Sequence, residues 1–171
     1  MKLQAIVCGA LLLLPLACDS NAEPPQSQPQ AQKIEDLRNP KLSQTGLVRI
    51  LTRDGRSIEV SVEIASNDED RTRGLMFRRA MPQMAGMIFV FEDEEQRSFW
   101  MRNTYLPLDM IFAKADGTIL GIVENAEPLT LTSRAVQGAS KFVLELNAGF
   151  CARQGIGAGD KLELIGMYRL E

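Results

Sequence analysis

Ile58, Val60, Val62 and Ile64 alternate strictly with Ser57, Glu59, Ser61 and Glu63. A period of two with β-branched residues on one side marks a strand with one buried and one wet face. Asp54-Gly55 just upstream is a hairpin-type turn, and residues 47–51 are apolar enough to supply the partner strand. The domain therefore opens on a β-hairpin with a solvent face.

The alternation breaks at Ser66-Asn67-Asp68-Glu69. Ser66 and Glu69 form a capping box that predicts a helix of about ten residues, reaching Met76 or Phe77. Gly74 within it costs about 1 kcal/mol relative to Ala, which predicts close packing against another backbone. Residues 86–91 read as a buried strand and the acidic residues 92–95 as an exposed turn. Residues 97–102 read as a further strand, with Phe99 and Met101 on one face and Trp100 and Arg102 on the other. Residues 109–115 and 118–124 form a second hairpin around Asp116-Gly117, followed by a long loop over 125–140. A strand over 141–147, a short helix over 148–154 and a closing strand over 161–168 complete the pattern. About seven short strands with one or two short helices define a single α+β, mainly β domain over residues 45–171, and a partly closed barrel is one architecture that fits.

The chain ahead of this domain carries an address. Lys2 precedes an apolar run over residues 5–16, too short to span a bilayer comfortably and of the composition of a secretory signal. Leu16-Ala17-Cys18 resembles a bacterial lipobox, so residues 1–17 are expected to be a lipoprotein signal peptide and Cys18 the lipidated first residue. Pro15 stands where that motif prefers Leu, which keeps ordinary cleavage and secretion as the alternative. Asp19 resembles the signal that retains lipoproteins in the inner membrane of Gram-negative bacteria. Residues 18–44, with Pro24, Pro25, Pro29 and Pro40 among Gln, Ser, Asn and Ala, read as a disordered tether that could include a short helical turn over 34–37. The expected location is periplasmic, with the membrane reached through a lipid anchor at Cys18. Cys8 then leaves with the signal and Cys18 carries lipid. Cys151 lacks a disulfide partner and reads as a small buried hydrophobe; without lipidation, Cys18 to Cys151 is the one plausible bridge.

Composition narrows the chemistry. Of 171 residues 45% are hydrophobic and 24% charged, and the net charge of -3 argues against a nucleic-acid partner, which calls for a basic excess on one face. The absence of His removes Ser-His-Asp triads, Cys-His dyads and the usual zinc sites. The acidic run over 92–95 lacks calcium-loop spacing. Met76, Met81, Met84, Met87, Met101 and Met110 form no tight cluster and read as core fillers rather than copper ligands. No metal and no cofactor is expected. What remains is carboxylate chemistry. Asp109 and Glu145 are embedded in apolar strands where burial raises a pKa, so they are the candidate acid and base of a hydrolase. The competing reading makes both structural, accepting hydrogen bonds from backbone or from Arg73 and Arg102. A second constellation, Arg73, Trp100, Arg102, Asn103, Thr104 and Asp109 with Asn147, offers an indole platform beside a guanidinium and an amide. It suits a sugar ring, a peptide or a small anionic ligand. Against it, Trp100 fits a core and Asn103 and Thr104 fit a turn ahead of Pro107.

Five blocks occur in order: Arg73-Gly74-Leu75-Met76-Phe77-Arg78, Gly86-Met87-Ile88-Phe89-Val90-Phe91, Phe99-Trp100-Met101-Arg102-Asn103-Thr104, Pro107-Leu108-Asp109 and Leu144-Glu145-Leu146-Asn147-Ala148-Gly149. Together they resemble the family known as domain of unknown function 192, over about residues 47–164. The resemblance implies a compact, strand-rich domain of secreted or anchored bacterial and archaeal proteins, with no agreed biochemical activity. Arg102 stands where many members have Lys, which keeps the charge and adds planar, bidentate contacts. The leading expectation is a non-catalytic ligand-binding or accessory domain anchored outside the cytoplasm, meeting a small molecule, a glycan or an envelope protein. The alternatives are a carboxylate-dependent hydrolase of an envelope polymer and a structural or assembly partner.

Overall fold

The computed structural model describes residues 44–169; the signal segment, Cys18, the turn expected over 34–37 and nearly all of the tether lie outside the described residues. Strands β1 (Gln44–Leu51) and β2 (Ser57–Ala65) pair antiparallel across the Asp54-Gly55 turn, and Ile58, Val60, Val62 and Ile64 are buried. Five further strands follow: β3 (Ala85–Glu95), β4 (Leu108–Ala113), β5 (Ile119–Ala126), β6 (Ser140–Asn147) and β7 (Lys161–Arg169). They form one sheet in the order β5-β4-β6-β3-β2-β1-β7. Among the described residues only β2 and β3 run parallel, so the chain must cross over between them, and helix α1 (Asp68–Arg73) lies in that crossover. A second helix, α2 (Phe150–Gln154), follows β6.

The fold is α+β and mainly β, but the sheet is open. Edge strands β5 and β7 meet at one corner, through a Thr118–Lys161 bridge and bonds from Ile119 N–H to the Asp160 carbonyl and from Leu162 N–H to the Gly117 carbonyl, each 2.8 Å. A curled sheet pinned at a corner thus takes the place of a barrel.

The sheet has a core on each face. On one side Val48, Ile50, Val60, Ile88, Ile111, Leu144 and Leu146 pack with Phe150 and Cys151 of α2. On the other, Met87, Phe89, Met110, Phe112 and Val143 are covered by Leu75, Met101 and Leu106 from the connecting segments. The three core methionines fill gaps in this second layer, as their flexible side chains suit.

Several local expectations are corrected. Asn67, not Ser66, caps α1, its side-chain oxygen accepting the Asp70 N–H at 2.9 Å. The helix ends after six residues, because Gly74 adopts φ 49° and ψ −137°, a conformation open to glycine and strained for other residues. A Cβ there would meet the Phe89 ring at 3.2 Å, so the close neighbour is a side chain and not backbone. The acids at 92–95 extend β3 instead of turning, with Glu95 opposite Ser140. Residues 97–102 form no ladder strand; Phe99 and Arg134 exchange two backbone bonds of 2.8 Å in an isolated bridge. The expected alternation survives without the ladder, since Met101 is buried and Trp100 and Arg102 are exposed.

Candidate functional site

Glu145 lies in β6, opposite Met87 of β3 and Met110 of β4, and so faces the second core. It is 4% exposed, and its carboxyl has no hydrogen-bond or ion-pair partner among the described residues. Burial alone pushes that carboxyl up from 4.5 to about 8, because the charged form gives up water without compensation. A cavity of about 460 Å³ reaches down to it. Its walls come from Arg71, Thr72, Arg73 and Gly74 at the end of α1, Phe89 and Phe91 of β3, residues 96–100 and Thr104. This volume falls within the range of small-molecule sites.

Guanidinium groups and aromatic rings interleave around it. Arg97 and Arg71 lie over the Phe91 ring, their Cζ atoms 4.1 and 5.2 Å from its centroid. Arg71 is fixed by bonds to the Ser66 carbonyl (2.6 Å), the Val90 carbonyl (2.9 Å) and Asp68 (2.6 Å). Arg73 pairs with Glu69 at 3.0 Å and Arg97 with Glu95 at 3.2 Å. Arg97 Nε is buried with no acceptor among the described residues. Phe99 meets Phe89 and Phe112 edge-to-face, with centroids 4.9 and 5.9 Å apart, and this holds the floor together. Trp100 is 49% exposed and belongs to the rim rather than the core. Arg102 Cζ lies 5.6 Å from the Trp100 ring, outside the cavity lining.

Of the sequence-predicted site residues, the cavity gathers Arg73, Trp100, Thr104 and Glu145. Asn103, Asp109 and Asn147 serve the scaffold, and Arg102 stays on the exposed surface beside Trp100. Asn103 takes φ 56° in a turn, where its carbonyl accepts the Phe77 N–H at 2.7 Å. Thr104 Oγ1 donates to the Arg102 carbonyl at 3.2 Å, so this buried residue serves both turn and lining. The Asn147 amide donates to the carbonyls of Met81 and Pro82 at 3.2 and 3.0 Å. Asp109 stands opposite Leu146, one register step from Glu145 and therefore on the other face of the sheet. Its carboxylate accepts N–H groups from Asn125 (2.9 Å), Gly149 (3.1 Å) and Cys151 (2.9 Å). Asp109 and Glu145 thus share no cleft, and the two-carboxylate acid and base pair is not assembled. Cys151 is buried, and burial together with the Asp109 charge pushes its thiol far above the ordinary range, as befits a packing residue. Among the described residues no group of three His, Cys, Asp or Glu is placed to hold a metal.

Sequence reasoning passed over Arg71, Phe91, Gln96 and Arg97, all of which line the cavity. Arg71 was legible as a second basic residue beside Arg73 at the end of an acid-started helix. Arg97 and Phe91 were masked by an expected turn between them; only the continuation of β3 brings the two together.

An open, mainly antiparallel sheet with a pocket on one face defines a small α+β domain. Residues 49–164 match the family model DUF192, described as an uncharacterized ACR, and the chain belongs to this family. The crystal structure of a Sinorhizobium meliloti protein, described only provisionally as a transcription regulator, is similar at 43% identity and a TM-score of 0.69, over 70% of this chain and 93% of that one. A protein of unknown function from Novosphingobium aromaticivorans is similar at 38% identity and a TM-score of 0.66, over 68% of this chain and 83% of that one. No curated protein matches the chain.

Proposed function

We propose that the mature protein is an extracytoplasmic binding domain, anchored by lipid at Cys18, whose cavity above Glu145 holds a small ligand. The observation that carries the binding half is the state of Glu145, a buried carboxyl with no partner among the described residues at the floor of a cavity. Burying such a group unpartnered costs a few kcal/mol, a cost retained where something else completes its bonding. The lipobox-like Leu16-Ala17-Cys18 and the Pro-containing stretch behind it support the anchored half. A net charge of -3 speaks against carrying over the transcription-regulator description of the Sinorhizobium meliloti protein.

A thermal-shift screen of the full chain against glycans, short peptides, amino acids and small organic acids tests the pocket, with crystallographic placement of any hit. Ligands that raise Tm and sit over Glu145 are expected; a screen without a hit, or hits seated elsewhere, overturns the reading. Separately, the mass of the chain recovered from membranes should show an acylated Cys18 as first residue. An unacylated chain would remove the anchor and leave the pocket untouched.

A further inference from the structure

We propose that the ligand of this cavity is a small amino carboxylate, its ammonium group meeting Glu145 at the floor and its carboxylate meeting Arg73 at the wall. This rests on the ligand-binding reading and specifies its chemistry. Glu145 offers acceptor oxygens that no described donor uses. An ammonium group supplies both charge and donors, which a neutral ligand does not. The wall carries the opposite sign. Arg71, Arg73 and Arg97 line the cavity, and their acidic partners Asp68, Glu69 and Glu95 have side chains 97%, 80% and 64% exposed. Such exposed pairs are weak and exchange readily for a better-placed carboxylate. Arg73 is the most exposed of the three arginines and, among the described residues, its side chain bonds to Glu69 alone, whereas Arg71 is held by backbone carbonyls.

Proton release follows from the same geometry. The charged groups lining the cavity over Glu145 are Asp68, Arg71 and Arg73 from α1 and Arg97 from the following segment; β3 and β4 place Met87 and Met110 alongside. Glu63, two strands away in the same row, is ion-paired with Arg78. A bound ammonium draws the Glu145 carboxyl down from about 8, so binding at neutral pH expels a proton.

The test is calorimetric titration of the full chain with the common L-amino acids, γ-aminobutyrate and 5-aminovalerate. Each positive probe is repeated as its single-charge analogues, the amine without carboxylate and the acid without amine. The zwitterion should bind at least about tenfold tighter than either analogue. Its binding heat should vary with the ionisation enthalpy of the buffer at pH 7, and its affinity should rise between pH 6 and 8. Glu145→Gln should weaken the zwitterion and the amine by about tenfold and leave the acid unchanged; Arg73→Gln should weaken the zwitterion and the acid by about tenfold and leave the amine unchanged. Equal affinity for the acid analogue, indifference to Glu145→Gln, or no binding by any amino carboxylate overturns the inference. A ligand of another class found over Glu145 would preserve the binding reading alone.

Discussion

Asp109 and Glu145 lie one register step apart on neighbouring strands and face opposite ways, and their environments separate their roles. Asp109 collects three backbone N–H groups, tying the left-handed residue Asn125 and the start of α2 to β4. Asp109→Ala leaves those donors buried and unmet, and a loss of about 3 kcal/mol or more is expected from urea unfolding, with Asp109→Asn costing less. Glu145 behaves in the opposite sense. Its folded carboxyl at about 8 lies above the ordinary 4.5, so the folded chain holds a proton that the unfolded chain releases. That contribution to stability is complete below about pH 4.5 and is lost as pH rises through about 8. Glu145→Gln keeps the shape without the charge. The variant should match the wild type near pH 4.5 and exceed it by on the order of several kcal/mol at pH 8 to 9, read from denaturant midpoints. A difference that does not change with pH would contradict the burial of an unpartnered acid.

At the level of elements, the hairpin, the second hairpin around Asp116-Gly117, β6, α2 and β7 were legible because each is a short apolar run closed by turn residues. Helix α1 was overestimated because a capping pattern and charge suggested more length than Gly74 allows; a glycine at φ 49° ends a helix whatever precedes it. The stretch 97–102 alternates like a strand yet pairs by a single bridge, since side-chain burial there is set by Phe99 and Met101 docking on the second core. The candidate site was legible in part. Trp100, Arg73 and Glu145 were marked by residue type, but which face each joins depends on register and on the length of β3, neither of which a local pattern fixes. Gly74 connects this to function, because its conformation turns the chain directly beside Arg73 and against Phe89. Gly74→Ala should cost about 2 kcal/mol in thermal or urea unfolding and weaken any ligand of the cavity. A neutral effect on both would mean that the turn does not shape the wall.

For the whole molecule, a single open sheet carries two cores, and the cavity belongs to the one capped by connecting segments rather than by α2. The first core is tied together by the three-amide hub at Asp109. Among the described residues the second leaves Glu145 of the row Glu63, Met87, Glu145, Met110 unpaired, although Glu63 in that row has Arg78. The stretch 99–109 is therefore divided between Met101 in the core, Asn103 in a turn, Asp109 in the opposite layer and Trp100 at the rim. The binding proposal requires that Glu145 stand without a partner, among the described residues, beneath the cavity. Carbon-13 NMR of the side-chain carboxyl, assigned by comparison with Glu145→Gln, reads this state. A titration midpoint near 8 in the free chain, moving down when an amino carboxylate is added, is expected. A midpoint in the ordinary range near 4.5, unmoved by any ligand, would contradict it.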